Sequence, residues 1–344
     1  MLHIQNMLKE QTKHLSFHTP GHKRAGDDIT ELSYSDCLLS PSGVILEAEK
    51  DVAEILGAKR SFLLTDGSTS GVHSMLWALK LAGKKSIAVP EYSHRSVYTG
   101  CELAGLNIVK IPQKRVHGMP VQPGADEIQA AMKGADALLL TSPDYYGFFP
   151  PLESAREICK DKPLLIDGAH GAHLHGTDRH AGRFADLWVD GVHKSLPALT
   201  QGAVVSAKTE EWATNLRSGV RVFRTTSPSY PIMASVEAAV KYPRNERIER
   251  AAERCKAQLG AVDNPDWSKI LIAFGEYADG AQEYLERRKV YPEFNDGNYL
   301  MFYLSPCTKE RDLKKLARLL KDLPRGEVKK DAPSGAIPMY AEEL

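Results

Sequence analysis

A lysine that closes an apolar strand is an amine held away from bulk water. Lys194 is such a residue: it ends the run Leu187-Trp-Val-Asp-Gly-Val-His-Lys194, and the Ser195-Leu-Pro-Ala-Leu-Thr-Gln-Gly202 that follows is no surface helix face. An amine so placed can form an imine with a carbonyl compound and exchange it for the amino group of a substrate. Upstream, the apolar Pro163-Leu-Leu-Ile166 runs into Asp167-Gly-Ala-His170. A carboxylate released from a buried strand is costly unless a cation faces it, and the protonated nitrogen of a pyridine ring is such a cation. Earlier still, Thr65-Asp-Gly-Ser-Thr-Ser-Gly71 follows one strand and opens a helix. The backbone N–H groups of that turn at Gly67 and beyond, with the hydroxyls of Ser68, Thr69 and Ser70, can receive a phosphate dianion. An imine-forming lysine, a carboxylate for a ring nitrogen and a phosphate cup together describe a pocket for pyridoxal 5'-phosphate.

Two histidines and an alanine complete the set. His94, in Glu91-Tyr-Ser-His-Arg-Ser96, stands just after a strand, where it can stack on a pyridine ring and position a substrate carboxylate. His193 can donate to the phosphate, and Ala169 is small enough to let a flat ring lie against the backbone. Singly, each feature has a plainer account. A Gly/Ser/Thr turn is also an ordinary capped helix start, an Asp at a strand end also caps a helix or ligates a metal, and most histidines at helix starts are structural.

The elements that must carry these residues follow from the hydrophobic pattern. Short apolar runs at 61–64, 86–89, 107–111, 137–140, 164–166, 187–189 and 203–206 alternate with helical stretches at 43–56, 70–81, 94–104, 126–132, 153–159 and 210–217. That alternation predicts an α/β fold with a mainly parallel seven-stranded sheet between helices. In such a sheet ligands gather at the carboxyl ends of the strands, where all the polar signatures fall. From 232 to 259 the texture becomes one charged helical stretch, and weaker signals at 270–274, 276–288, 299–304 and 312–320 predict a small α+β domain. The expected organisation is an amphipathic N-terminal arm over 1–40, a large cofactor-binding domain over 41–231 and a small C-terminal domain over 232–344.

Composition narrows the function classes. The chain has 344 residues, 42% hydrophobic, and 44 basic residues balance 44 acidic ones, so nothing points to nucleic acid and a small-molecule substrate is expected. Five scattered cysteines without metal-ligand spacing, no signal peptide and no membrane-length apolar run lead to the expectation of a reduced, cytoplasmic protein with no metal and no membrane partner.

Longer motifs occur in a recognisable order: Phe17-His-Thr-Pro-Gly-His-Lys23, Asp66-Gly-Ser-Thr-Ser-Gly71, Ser142-Pro-Asp-Tyr-Tyr-Gly147, Asp167-Gly-Ala-His-Gly-Ala-His173, His193-Lys-Ser-Leu-Pro-Ala-Leu-Thr-Gln201 and Thr225-Thr-Ser-Pro-Ser-Tyr230. With them the chain resembles the bacterial ornithine/lysine/arginine decarboxylases, enzymes of the aspartate-aminotransferase-like fold type I that depend on pyridoxal phosphate. The resemblance implies Lys194 as the Schiff-base lysine, Asp167 as partner of the pyridine nitrogen and His94 as the ring-stacking histidine. It implies Ser68, Thr69 and His193 as phosphate ligands, with Ala169 and His170 lining the pocket. It also implies a homodimer with shared active sites, in which the loop of Thr225, Thr226 and Ser227 reaches the neighbour's phosphate cup.

The reaction so implied is loss of CO2 from a basic L-amino acid, with reprotonation at the α-carbon by Lys194 or His94 to give the amine. Arginine, lysine and ornithine differ in their cationic tails, and Glu343 and Asp36 are the carboxylates expected to meet them. The chain departs from the family at Gly191, where a serine is usual, at Gly168, where an acidic residue is usual, and at Asp144, where a threonine is usual. Ala332-Pro-Ser-Gly-Ala-Ile-Pro338 resembles a family segment, but the helical region that usually follows has no counterpart before Leu344. Two other readings stay open. One is another fold type I reaction, an aminotransferase or lyase; an aminotransferase usually clamps the substrate carboxylate with a small-domain arginine, and Arg287 and Arg288, on a charged helical stretch, read as solvated. The other is a degenerate homologue that binds the cofactor without turnover.

Overall fold

The computed structural model describes residues 1–10, 15, 17–23 and 28–328. Its strands are β1 (Arg60–Leu64), β2 (Ser86–Pro90), β3 (Asn107–Ile111), β4 (Arg115–Val116), β5 (Met119–Pro120), β6 (Ala137–Thr141), β7 (Leu164–Gly168), β8 (Leu187–Asp190), β9 (Ala203–Ala207), β10 (Lys269–Ala273), β11 (Phe294–Asn295) and β12 (Tyr299–Tyr303). Seven of them form one sheet in the order β1-β9-β8-β7-β6-β2-β3, and β9 alone runs against the rest. The expected mainly parallel seven-stranded α/β sheet is what the chain builds.

Continuous apolar runs make these strands because both faces of the sheet are covered. Alternate side chains go to opposite sides: Leu63, Leu138, Leu140, Leu164, Ile166, Trp188 and Val204 join one core. Leu64, Ala137, Leu139, Leu165, Leu187, Val189 and Val205 join the other. The helices Val44–Leu56 and Tyr230–Val240 cover the first side, and Gly67–Leu81, Arg95–Ala104 and Glu210–Phe223 the second. The last of these runs past the expected 217. Gly219 does not end it, because the absent side chain lets the helix press on Ser74, whose carbonyl would lie 2.5 Å from a Cβ there.

The stretch expected as one helix over 232–259 is two. Pro243 has no N–H to continue the first, and the Asn245 side chain caps the second by accepting the Ile248 N–H at 3.3 Å. Tyr230–Val240 therefore packs with the large sheet, whereas Glu246–Leu259 packs with Ala278–Glu286, Glu310–Leu320 and the antiparallel sheet β10-β12-β11.

The N-terminal helix His3–Glu10 buries Ile4, Met7 and Leu8 in the first core. Its free N–H groups at His3 and Ile4 are received by the Glu237 carboxylate at 2.6 and 2.9 Å. Lys241 Nζ, 2.6 Å from Asp51 and 3.0 Å from Glu237, supplies the cation among these acids. Among the described residues no helix is long and apolar enough to cross a membrane.

Candidate active site

The carboxyl ends of β2, β6, β7 and β8 open into one cleft holding about 690 Å³ of empty space out to its mouth. Ser68, His94, Asp167, Ala169, His170 and Lys194 line it together, along with Tyr145, Asp144 and Gln122. Six of the sequence-derived candidates therefore meet in one place, drawn from four separate segments.

Lys194 sits on a single turn of helix, Val192–Ser195, set directly after β8. Its Nζ lies 3.2 Å from His170 Nε2. Burial lowers the Lys194 pKa from the usual lysine value; Asp167 and Glu293 oppose the shift, and Lys269 adds to it. Asp167, the penultimate residue of β7, is 2% exposed, and one carboxylate oxygen accepts the Ala169 N–H at 3.1 Å. That bond folds the chain sharply after the strand and sets Ala169 on the cleft wall.

His94 caps the helix Arg95–Ala104. Its Nδ1 accepts the Ser96 N–H at 3.2 Å and lies 2.7 Å from the Ser96 hydroxyl, which leaves the proton of the neutral ring on Nε2. Burial lowers its pKa, with Asp167 opposing and Lys194 adding. His170 is held well below the ordinary histidine value by burial, reinforced by Lys194 and Lys269, so it is neutral.

The phosphate-cup candidates divide. Gly67 takes φ +75°, which its lack of a side chain permits, and gives its N–H to the Gln201 carbonyl at 2.9 Å. Ser70 is buried and returns its hydroxyl to the Gly67 carbonyl at 3.0 Å. Ser68 reaches the cleft, and Thr69 is exposed. Asp66 offers no side-chain cap, so the Ser68 and Thr69 N–H groups at the helix start have no carbonyl within the helix to receive them.

His193 gives both its N–H and its Nδ1 to the Gly202 carbonyl, each at 2.9 Å. Only a donor nitrogen can bond a carbonyl, so the neutral ring presents Nε2 as an acceptor and can donate to a phosphate only once protonated, which burial disfavours. The Thr225 N–H bonds Asp66 of the same chain at 3.3 Å, while Thr226 and Ser227 are exposed.

The departures at Gly168 and Gly191 are steric. A Cβ on Gly191 would lie 2.2 Å from the Ala169 carbonyl oxygen, and one on Gly168 would lie 2.7 Å from the Val189 carbonyl oxygen. The ends of β7 and β8 are pressed together where a larger residue would part them. Asp144 is half-buried at the cleft, accepts the Phe148 N–H at 2.9 Å, and has its carboxyl raised to about 6 by desolvation despite that bond and the nearby Lys269.

Of the residues expected to meet a substrate's cationic tail, Asp36 is already engaged. Its two oxygens accept N–H groups from Cys37, Ser42, Gly43 and Ile45 at 2.8 to 3.0 Å, and it organises the turn before the helix Val44–Leu56. Glu343 and the segment 332–338 lie outside the described residues.

Other groups at the cleft were not foreseen. Tyr145 bonds the Glu293 carboxylate at 3.1 Å and stands edge-on to His170, with ring centroids 5.1 Å apart. Tyr303, the last residue of β12, approaches His170 from the smaller sheet. Behind it Asp266 and Lys269 form a pair at 2.7 Å with both side chains fully buried, and Asp266 also takes His173 Nε2 at 2.9 Å. The only sequence signal for this cluster was the spacing Asp266-Trp-Ser-Lys269, which alone reads as an ordinary turn.

Two observations bear on whether pyridoxal phosphate fits. Among the described residues the buried hydroxyls of Thr65, beside the cup, and Ser142, whose N–H bonds the Asp167 carbonyl, have no hydrogen-bond partner. Buried polar atoms are rarely left so; Thr65 stands three residues before Ser68 and Ser142 directly after Thr141, both of which line the cleft. Amine, carboxylate and flat alanine wall are the donor set that the cofactor's aldehyde, ring nitrogen and ring face require, so the residues present fit it.

Comparisons with known proteins agree. The profile of the family described as Orn/Lys/Arg decarboxylase, major domain, matches residues 21–261. The uncharacterized protein YaaO of Bacillus subtilis is 29% identical over 358 residues, covering 86% of this chain and 72% of that one. An arginine decarboxylase of Halalkalibacterium halodurans is 28% identical over 286 residues, covering 72% of this chain and 57% of its own. Among solved structures, the Francisella novicida lysine decarboxylase LdcF superposes with a TM-score of 0.80 at 18% identity, over 93% of this chain and 59% of that one. A structure of SPT with PLP superposes with a TM-score of 0.64 at 13% identity, over 80% and 75%. The chain thus spans under three fifths of the length of these named decarboxylases. It belongs to the Orn/Lys/Arg decarboxylase family.

Proposed function

We propose that the chain decarboxylates a basic L-amino acid, arginine, lysine or ornithine, using pyridoxal phosphate held in the cleft. The observation that carries this reading is the meeting of Lys194, Asp167, His94 and His170 in one cleft of a family member. When bound, pyridoxal phosphate supplies the conjugated cationic ring that accepts the electrons left by departing CO2. Lys194 would hold it, Asp167 would keep its ring nitrogen protonated, His94 would cover its face, and Ser68 with the N–H groups at the start of its helix would take its phosphate.

The chain's own residues account for the rest. A poorly solvated α-carboxylate favours decarboxylation, and among the described residues lining the cleft there is no arginine to clamp it. Arg287 is paired with Glu283 at 3.1 Å and Arg288 lies over the Tyr284 ring, both on an exposed helix end. Glu293, which accepts from Tyr145 on the cleft wall, is the carboxylate we assign to the tail cation. Lys194, amine-bearing and beside His170, is the group that returns a proton to the α-carbon. The catalytic unit in this reading is a cytoplasmic homodimer. The Thr225 N–H fastens the loop to its own cup at Asp66, and exposed Thr226 and Ser227 are left to reach the partner's.

The test is an absorbance spectrum of protein reconstituted with pyridoxal phosphate, together with assays for CO2 and amine on arginine, lysine and ornithine. The expected result is a visible band that Lys194→Ala abolishes, and product from at least one substrate. A protein that binds the cofactor through Lys194 yet releases no CO2 from any of the three would overturn the reading.

A further inference from the structure

The Lys194 amine meets a histidine that the smaller sheet touches from its other side. His170 Nε2 is 3.2 Å from Lys194 Nζ, and on the far side of the ring Nδ1 is 3.4 Å from the hydroxyl of Tyr303 on β12. The same hydroxyl lies 3.3 Å from the His170 carbonyl oxygen, and both contacts are longer than ordinary hydrogen bonds of these types. A carbonyl only accepts, so the phenol's one proton goes to it and the phenol oxygen is left to accept from Nδ1. A neutral imidazole has a single N–H, so Nε2 then carries a lone pair toward the lysine.

We propose that Tyr303 is a positioning residue: by fixing His170 as the Nδ1–H tautomer it turns Nε2 into an acceptor that holds the Lys194 amine at the cleft. The proposal deepens the decarboxylase reading, since it concerns the amine that reading makes reactive. Tyr303 is itself held. Lys269 Nζ sits over its ring at 5.2 Å and is anchored by Asp266, which is bonded to His173, three residues beyond His170 in sequence. His170 and its tyrosine are thus clasped by one buried network that spans the two sheets. The opposite tautomer would aim an N–H at the ammonium, two donors facing each other.

The groups facing the amine are Asp167 on β7, His94 before its helix, Lys269 on β10 and Glu293 just before β11. Tyr303→Phe leaves all of them in place and keeps an aromatic ring under Lys269. The experiment uses the full chain without cofactor. The pH midpoint of Lys194 reductive methylation is followed by peptide mass spectrometry, and the His170 tautomer by 15N NMR.

The expected result in Tyr303→Phe is transfer of the His170 proton to Nε2 and a fall of the Lys194 midpoint by about one unit, tenfold in the ammonium-to-amine ratio. The sign follows from loss of an acceptor that favours the charged form. His170→Phe removes the acceptor directly and gives the same fall, and the double variant falls no further, whereas independent structural effects would add. An unchanged tautomer, an unchanged midpoint, or additive shifts in the double variant would each overturn the proposal. No cofactor or substrate enters the measurement, so a protein that passes it and still releases no CO2 would count against the decarboxylase reading alone.

Discussion

Restoring the residue usual in the family at position 191 should damage this protein. Gly191 has φ −80° and ψ 76°, a conformation open to any L-residue, so the obstacle to Gly191→Ser is space alone. Its Cβ would stand 2.2 Å from the Ala169 carbonyl oxygen and 3.0 and 3.1 Å from the Ala169 carbonyl carbon and Cα. Contacts of a real Cβ do not fall below 3.0 Å, so β7 and β8 must part by about 0.8 Å at their ends. They are not free to do so. Gly168 is in register with Asp190, and the Ala169 N–H is tied to Asp167.

Overpacking of this kind costs ~1–3 kcal/mol. Equilibrium urea unfolding read by tryptophan fluorescence, with Trp188 three residues away on β8, should show the loss as a lower midpoint at unchanged slope. Gly280→Ala is the control: its Cβ would meet nothing, it lies inside the helix Ala278–Glu286, and it should stabilise by up to about 1 kcal/mol. A Gly191→Ser protein as stable as the wild type that also binds pyridoxal phosphate more tightly would refute the reasoning, because the site would then simply lack a hydroxyl it has room for.

Two further outcomes follow from the buried charges. Lys269→Met strands Asp266 without its ammonium in a fully buried setting and should cost about 3–5 kcal/mol in urea unfolding, with Asp266→Asn/Lys269→Met costing less than the sum of the single changes. Burial raises the Glu49 carboxyl from 4.5 to about 7 against the opposing pull of Arg224 and the Leu63 N–H. The folded protein therefore holds a proton that the unfolded chain releases, so the associated stability is complete below pH 4.5 and is lost as pH rises through 7, at most ~3 kcal/mol. Unfolding measured at pH 5 and pH 7.5 should show that fall in the wild type and a flatter profile in Glu49→Gln. An equally steep fall in the variant would place the titration elsewhere.

What could be read in the sequence was whatever one segment carries by itself. The central strands of the large sheet are near-continuous apolar runs, and Asp167 and Lys194 betray themselves by following such runs. The break at Pro243 was hidden because charged residues at helical spacing continue on both sides of it, and only packing shows that Met233 and Cys255 belong to different cores. Asp36 looked available because four backbone N–H groups are no property of a sequence pattern. His193 could be placed beside Lys194, but not the turn that delivers the Gly202 carbonyl to its ring. The smaller sheet's share was the least visible: Tyr303 alternates like any strand residue, and its meeting with His170 joins segments 133 positions apart.

The cluster of His173, Asp266 and Lys269 also bears on how the molecule comes apart. A hinge that swung the smaller sheet away would carry the Asp266–Lys269 pair with it into water and part Asp266 from His173, leaving the buried imidazole without its carboxylate. Partial opening is then dearer than it would be across a plain apolar seam, and the smaller sheet has little cheap freedom of its own. The two sheets should melt as one body, and the cleft at the carboxyl ends of the large sheet should keep its shape whether or not it is filled.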